Sequence, residues 1–269
     1  MTQSLGIIGC GKMGYALVKG ITSDPTNSFT SIFCNDINRE RTDLFAREFN
    51  GVAVNLTELL QNSSIIILAI KPQQIGQVFS ETHGLWKLEQ LLISIVAGIT
   101  TAAIEKEVQA KVPVVRVMPN TPCLVAEGVS AIAAGRYAGE IHQVAVKKML
   151  DNLGIAILLD EKYMDAITAV SGSGPGYVFL VVEAMMNAAV SIGLDHVLAR
   201  DLVLNTIKGS IKMLEETGEH PAILRDQVCS PGGTTIAGIR ELEENGIRGA
   251  FFAAIEKAFL KSIELGKTR

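Results

Sequence analysis

Gly9-Cys10-Gly11-Lys12-Met13-Gly14 is the first stretch of this 269-residue chain whose residue types and spacing could do chemistry. It follows an apolar run, Leu5 to Gly9, and opens Met13 to Ile21, where apolar residues recur at helical spacing. In a strand, turn and helix of this kind, Gly9 makes the tight turn and Gly11 lets a pyrophosphate approach the backbone. Gly14 lets the helix pack on the strand. The helix start then turns unpaired N–H groups toward the phosphates. An ordinary glycine-rich turn is the other reading of the same residues.

The remaining candidate dinucleotide contacts fall at the ends of later apolar runs. Asp36 stands roughly twenty residues past the motif, where a carboxylate accepts hydrogen bonds from an adenosine ribose and disfavours a 2′-phosphate. Arg39 and Arg41 crowd the same loop and could instead pair with that phosphate, so NADH and NADPH both stay open. Ala69-Ile70-Lys71-Pro72 and Met118-Pro119-Asn120-Thr121-Pro122 close two further runs, in the crevice where open α/β sheets bind ligands. The candidate cofactor set is therefore Ile8, Gly9, Cys10, Gly11, Lys12, Met13 and Gly14, with Asn35, Asp36, Arg39 and Asn55. Ala69, Ile70, Lys71 and Pro72 join it, as do Met118, Pro119 and Asn120. Lys71 reads equally well as a solvated lysine before a proline turn.

Two late runs combine glycine with hydroxyl residues, Ser171-Gly172-Ser173-Gly174-Pro175-Gly176 and Ser230-Pro231-Gly232-Gly233-Thr234-Thr235. Each leads into a helical pattern, so each could present backbone N–H groups to a small carboxylate without an arginine. The hydroxyl of Thr234 or Thr235 could then meet a nitrogen or oxygen at the reacting centre. Simple caps and turns are the competing reading. His83, His142, His196 and His220 are dispersed and none has a neighbour at metal spacing, so no metal is expected.

The elements that must hold these residues can be read from periodicity. Leu5 to Gly9, Ser31 to Cys34, Gly51 to Val54, Ile65 to Ile70, Leu91 to Val96, Pro113 to Val117, Val129 to Ala133 and Ile155 to Leu159 look like strands. Helical stretches such as Arg41 to Phe49, Thr101 to Val108 and Ile141 to Leu153 separate several of them. Uniformly apolar strands of this kind predict an α/β fold, a Rossmann-type doubly wound parallel sheet over residues 1–162. Beyond that point only helical patterns follow, predicting an all-helical C-terminal domain over residues 163–269 for substrate binding and dimerisation. Tyr177 to Ile192 is shorter than the ~20 residues that span a bilayer and carries Glu183 and Asn187, so it reads as a buried helix. It is apolar nearly all round, which a small domain cannot cover alone. A homodimer at least, or a larger ring of dimers, is expected.

Charge and cysteine usage narrow the partners. With 24 basic and 28 acidic residues the formal charge is −4, which gives no cationic field for nucleic acid or an anionic membrane and favours small molecules. Cys10, Cys34, Cys123 and Cys229 show neither zinc spacing nor the density of a disulfide framework, and the N-terminus lacks the pattern of a signal peptide. A reducing cytoplasm is the expected location.

GIIGCGKMG at the start, AIKP at Ala69, VMPNTP at Val117, SGSGP at Ser171 and DQVCSPGGTTIAGIRELE from Asp226 occur in one order along nearly the whole chain. In that order they resemble the pyrroline-5-carboxylate reductase family, and the SPGGTT segment is the most specific part. The resemblance implies an oxidoreductase in which NADPH or NADH delivers hydride to the C=N carbon of 1-pyrroline-5-carboxylate. The product is L-proline, formed in the last step of its biosynthesis. It further implies that Ser171, Gly172, Ser173, Gly174 and Pro175, with Ser230, Gly232, Gly233 and Thr234, bind the substrate. Thr235 would be the catalytic contact, hydrogen-bonded to the ring nitrogen, and it would position the imine, since an unactivated hydroxyl is a poor acid. The chain departs from the family pattern in lacking a serine after the second strand and in carrying Cys229 before Ser230. A β-hydroxyacid dehydrogenase shares the opening motif, but it needs a catalytic lysine, and none lies between Lys162 and Lys208. A cofactor-binding sensor without catalysis is the third reading.

Overall fold

In the computed structural model, residues 3–24 and 29–267 are described. The N-terminal part alternates strand and helix: β1 (Gln3–Ile8), α1 (Lys12–Ser23), β2 (Phe29–Asn35), α2 (Arg39–Glu48), β3 (Val52–Ala53), α3 (Leu56–Asn62), β4 (Ile65–Leu68), α4 (Ile75–Glu81), β5 (Leu91–Ser94), α5 (Thr101–Val108), β6 (Val114–Pro119), β7 (Gly128–Ala134), α6 (Glu140–Leu150) and β8 (Gly154–Leu158). Side-chain caps start three of these helices: Asn38 accepts from the Arg41 N–H, Asn55 from Glu58 and Thr100 from Ala103. α3 and α4 lie outside the helices expected from periodicity. Both are short, and α3 announces itself only by Asn55 followed three residues on by Glu58.

The strands form one sheet in the order β3-β2-β1-β4-β5-β6-β7-β8. Every pairing is parallel except β6 with β7. That exception follows from chain length, since a single 3₁₀ segment, Thr121–Val125, joins the two strands, and a parallel crossover needs about a dozen residues. Alternation along the strands divides the core into two layers. Leu5, Ile7, Ile65, Ile67 and Ile93 face one set of helices; Ile8, Ile66, Leu68 and Leu92 face the other. The central strands have no wet face, as expected. The edge strand β8 does, with Ile155 65% exposed.

Only helices follow: α7 (Met164–Ile167), α8 (Gly174–Ser191), α9 (His196–Thr217), α10 (Pro221–Gln227), α11 (Thr234–Glu244) and α12 (Ile247–Lys267). The chain divides into two compact units, one of Met1–Ser173 with Ala258–Arg269 and one of Gly174–Lys257. The first unit thus runs past the expected division after Lys162, because Met164 and Ala169 are fully buried, Met164 packing with Ala131 and Ala133 of β7.

One expectation needs correction. Tyr177–Ile192 reads as a buried helix, yet no residue of α8 is buried, and Phe179 and Leu180 stand 65% and 66% exposed. The reason is scarcity of cover: between Gly174 and Lys257 the chain buries only Ala199 and Val203, both on α9.

Candidate active site

The first unit places the glycine-rich segment at the C-terminal ends of β1, β2 and β4. β1 lies between β2 and β4, so the chain crosses from one side of β1 to the other, and a crevice opens there. A cavity of about 270 Å³ fills it, lined among others by Gly9, Gly11, Asp36, Arg41, Ala69 and Lys71. Ile8, Asn35 and Ile70 line it as well. An adjoining cavity of about 350 Å³ shares Asn35 and Asp36 and adds Arg39 and Asn55.

The three glycines differ in what requires them. Gly9 has φ +103°, and a Cβ there would lie 2.4 Å from the Ala69 carbonyl oxygen. A Cβ on Gly14 would lie 2.4 Å from the Gly9 oxygen. At Gly11 a Cβ would meet nothing within 4 Å. Gly9 and Gly14 are therefore demanded by the fold, whereas the space above Gly11 is open toward the cavity. Gly11 caps α1 without a side-chain acceptor, and the first turn carries no acidic residue. The N–H groups of Lys12 and Met13 are left for an anion. These residues fit a dinucleotide pyrophosphate.

Around this turn, polar side chains fix the loop. Asp36 accepts the Cys10 N–H at 2.7 Å through Oδ2 and the Asn38 N–H at 2.8 Å through Oδ1. Asn35 donates to the Val54 carbonyl at 2.7 Å. Asn55 is thus both a cavity residue and the cap of α3. Cys34 as a neighbour, together with burial, pushes the Cys10 thiol far above the usual range, while Cys10 in turn lowers Cys34 against the opposing effect of burial; the Cys10 Sγ faces the Asn35 carbonyl at 3.8 Å. Cys10 stays neutral beneath the loop. Arg39 points to solvent and pairs loosely with Asp43 at 4.0 Å, so Arg41 and Lys71 are the cations on the first cavity's wall. Leu56, Gln74, Gln77 and Glu81 also line that cavity, and no sequence motif marks them; Leu56 comes from α3, Gln77 and Glu81 from α4, and Gln74 from the turn that precedes α4.

Met118, Pro119 and Asn120 end β6, on the same edge of the sheet as Ala69 to Pro72, which follow β4. Asn120 is 8% exposed. Its Oδ1 accepts the Val129 N–H at 2.8 Å, and its Nδ2 faces the Ser171 carbonyl at 3.2 Å and the Ser171 hydroxyl at 3.3 Å. Ser171 and Gly172 lie in a π-helical turn, Thr168–Gly172, in which the Ser173 N–H returns to the Thr168 carbonyl at 2.8 Å. The expectation of a fresh helix start at this run is therefore corrected. Helical winding has already begun at Glu161, and the Ser173 amide is already bonded.

The late run in the second unit is a true helix start. Gly232 has φ +68°, the Gly233 N–H returns to the Ser230 carbonyl at 3.0 Å, and Gly233 caps α11 without a side-chain acceptor. A Cβ on Gly233 would lie 2.2 Å from Ser230 Oγ, a contact that rotation of the hydroxyl relieves, so it is Gly232 with its positive φ that the turn requires. The N–H groups of Thr234, Thr235 and Ile236 have no partner within the helix. Thr22, Thr82, Thr168 and Thr217 all return their hydroxyls to the carbonyl four residues back. In the first turn of α11 no helical carbonyl lies beneath Thr234 or Thr235, and both hydroxyls stay available. Among the described residues no three His, Cys, Asp or Glu side chains cluster as a metal site.

Sheet, crevice and glycine turn define a dinucleotide-binding α/β protein of Rossmann type. A family model described as NADP oxidoreductase, coenzyme F420-dependent, matches residues 4–98, and one described as pyrroline-5-carboxylate reductase dimerisation matches residues 161–265. The pyrroline-5-carboxylate reductase of Corynebacterium melassecola is 40% identical over 98% of this chain and 99% of its own. That of Methanosarcina acetivorans is 41% identical over 98% of each. The crystal structure of Plasmodium falciparum pyrroline carboxylate reductase with NADP bound is 34% identical, with a TM-score of 0.89 over 98% of both chains. This chain belongs to the pyrroline-5-carboxylate reductase family.

Proposed function

We propose that the protein reduces 1-pyrroline-5-carboxylate to L-proline, the last step of proline biosynthesis, with NADPH or NADH as the reductant. The observation that carries this reading is the uncapped start of α11, where free amides and the Thr235 hydroxyl stand together without any charged side chain in the run. Such a start takes a small carboxylate by its N–H groups and the helix dipole. Thr235 then accepts from or donates to the ring nitrogen and fixes the imine's orientation. A protonated imine is already electrophilic, so the protein's task is placement and exclusion of water. The reduced nicotinamide supplies the hydride, and Gly11, Lys12, Met13 and Asp36 hold the dinucleotide that carries it. Ser171 to Pro175 are the second set of substrate contacts, with the Ser171 hydroxyl and the amides beyond Ser173 as the groups on offer.

Exposed apolar side chains on α8, in a stretch that matches a dimerisation model, support assembly as a homodimer at least, and a ring of dimers beyond it. Glu161–Ser191 has a window apolar enough to cross a bilayer, at a mean hydropathy of 1.2 with 6% of it buried in one chain. A second copy covering that face is the reading favoured here. All four cysteines are free, in keeping with a cytoplasmic location.

The deciding experiment follows NAD(P)H absorbance on adding pyrroline-5-carboxylate, with proline identified as product. Turnover is expected. Tight cofactor binding with no turnover would favour the sensor reading, and light scattering that finds only monomer would remove the assembly.

A further inference from the structure

Pro175 has no N–H, so the carbonyl four residues back, that of Ser171, loses the helical partner it would otherwise have. The partner the fold supplies is Asn120, whose carboxamide reaches Ser171 O at 3.2 Å and Ser171 Oγ at 3.3 Å. Asn120 is itself held, because its Oδ1 accepts the Val129 N–H at 2.8 Å from the start of β7. Both ends of one buried carboxamide are thus committed to protein groups. A second tether joins the same two elements lower down. Arg116 on β6 donates to Glu161 at 3.1 Å, and Glu161 also accepts from the Thr101 N–H and hydroxyl. From Arg116 to Asn120 the strand climbs on the order of 13 Å; from Glu161 to Ser171 the helical winding climbs about 15 Å. The near equality lets strand and helix run side by side, pinned at both ends. A π turn is a wide and costly geometry that recurs at functional positions, and here it sits at the upper pin.

We propose that Asn120 is a positioning residue for the reduction: it holds the Ser171 carbonyl that Pro175 has freed, and so fixes the π turn that aims Ser171 to Ser173 at the substrate. This rests on the assignment of Ser171 to substrate binding made above.

Asn120→Asp is the informative variant. It keeps the acceptor for Val129, removes both donations to Ser171, and sets a carboxylate oxygen against a carbonyl oxygen. Expected are an unchanged NADPH dissociation constant and a fall in kcat/KM for pyrroline-5-carboxylate of about 10- to 100-fold, the scale of a misplaced contact. Amide exchange at residues 168–173 should speed up. Pro175→Ala guards against a variant that fails to fold, since it only restores a helical N–H. By offering Ser171 O a new partner it should slow exchange at residues 171–175 and raise KM, with cofactor affinity intact. Wild-type kinetics in both variants, or parallel loss of cofactor and substrate affinity in Asn120→Asp, would overturn the proposal. If the native chain gave no turnover at all, the functional reading would fail instead, and the exchange data would still report whether Asn120 holds the turn.

Discussion

The Cys10 N–H and the Asp36 carboxylate are joined at 2.7 Å, so the glycine-rich turn after β1 and the end of β2 form one hydrogen-bonded unit. The second carboxylate oxygen is taken by the Asn38 N–H. Asp36 is therefore held as a fixed negative charge on the wall shared by both cavities. A 2′-phosphate bound within ~5 Å of it, at an effective dielectric of ~20, would be opposed by about 3 kcal/mol for each unit of its charge before solvent screening, and Arg41 and Lys71 on the first cavity's wall would offset part of that. Asp36→Ser removes the repulsion while leaving an acceptor near Cys10. The ratio of kcat/KM for NADPH over NADH should rise about tenfold, about 1.4 kcal/mol. A ratio that stays put would mean the ribose end of the cofactor lies elsewhere.

Gly11 and Gly14 separate binding from folding. A side chain at Gly11 enters open space, so Gly11→Val should leave thermal unfolding unchanged and abolish NAD(P)H fluorescence enhancement. Gly14→Ala, which drives a Cβ to 2.4 Å from the Gly9 oxygen, should instead lower the melting temperature. The overpacking cost is about 1–3 kcal/mol. Normal cofactor binding by Gly11→Val would remove the pyrophosphate from this turn.

Much of this could be read in the sequence because strand and loop share one signal. Apolar runs ending in glycine, or in Lys71-Pro72 and Pro119-Asn120, mark both the strand and the crevice above it. What escaped was tertiary. The uniform apolarity of Tyr177 to Ile192 says only that something covers it, and within one chain no residue of α8 is buried. The π turn depends on Pro175 acting through a carbonyl four residues away, and no local propensity shows that Asn120 answers it. The reversal at β7 was legible in principle, as too few residues separate Pro119 from Gly128 for a crossover. Arg116 was legible too: a lone cation in the apolar run Val114 to Met118 needs a buried partner.

That partner gives a stability prediction. Arg116 is 3% exposed, and Glu161 is the carboxylate against it. Glu161→Gln leaves a buried guanidinium uncompensated, at a cost of about 3–5 kcal/mol for a fully buried pair and less here, since the Glu161 side chain is 24% exposed. Urea or thermal unfolding should show the loss. The double variant Arg116→Met, Glu161→Gln should recover part of it, because the isolated charge goes too. A double variant less stable than the single one would show that the packing of the arginine stem outweighs its charge.

Thr235 tests the chemistry most directly. It is half-buried in the first turn of α11, with no helical carbonyl beneath it to take its hydroxyl. Thr235→Ala removes that hydroxyl and keeps the amide that would hold the substrate carboxylate. A lost hydrogen bond to a group that carries charge in the reaction is worth about 1.5–3 kcal/mol, so kcat/KM should drop about 10- to 100-fold. NAD(P)H binding, proposed above for the first unit's turn, should not change. Thr235→Ser restores the oxygen and should recover most of the rate, whereas Thr235→Val, equal in shape and without a hydroxyl, should behave like alanine. The pH profile adds a second discrimination. If Thr235 only positions an imine protonated by solvent, the alanine and wild-type profiles of kcat/KM should run parallel; if the hydroxyl delivered the proton, the alanine profile would steepen with rising pH as protonated imine became scarce. Parallel profiles with a lowered rate are the expected result, and full activity in the alanine variant would take Thr235 out of the reaction altogether.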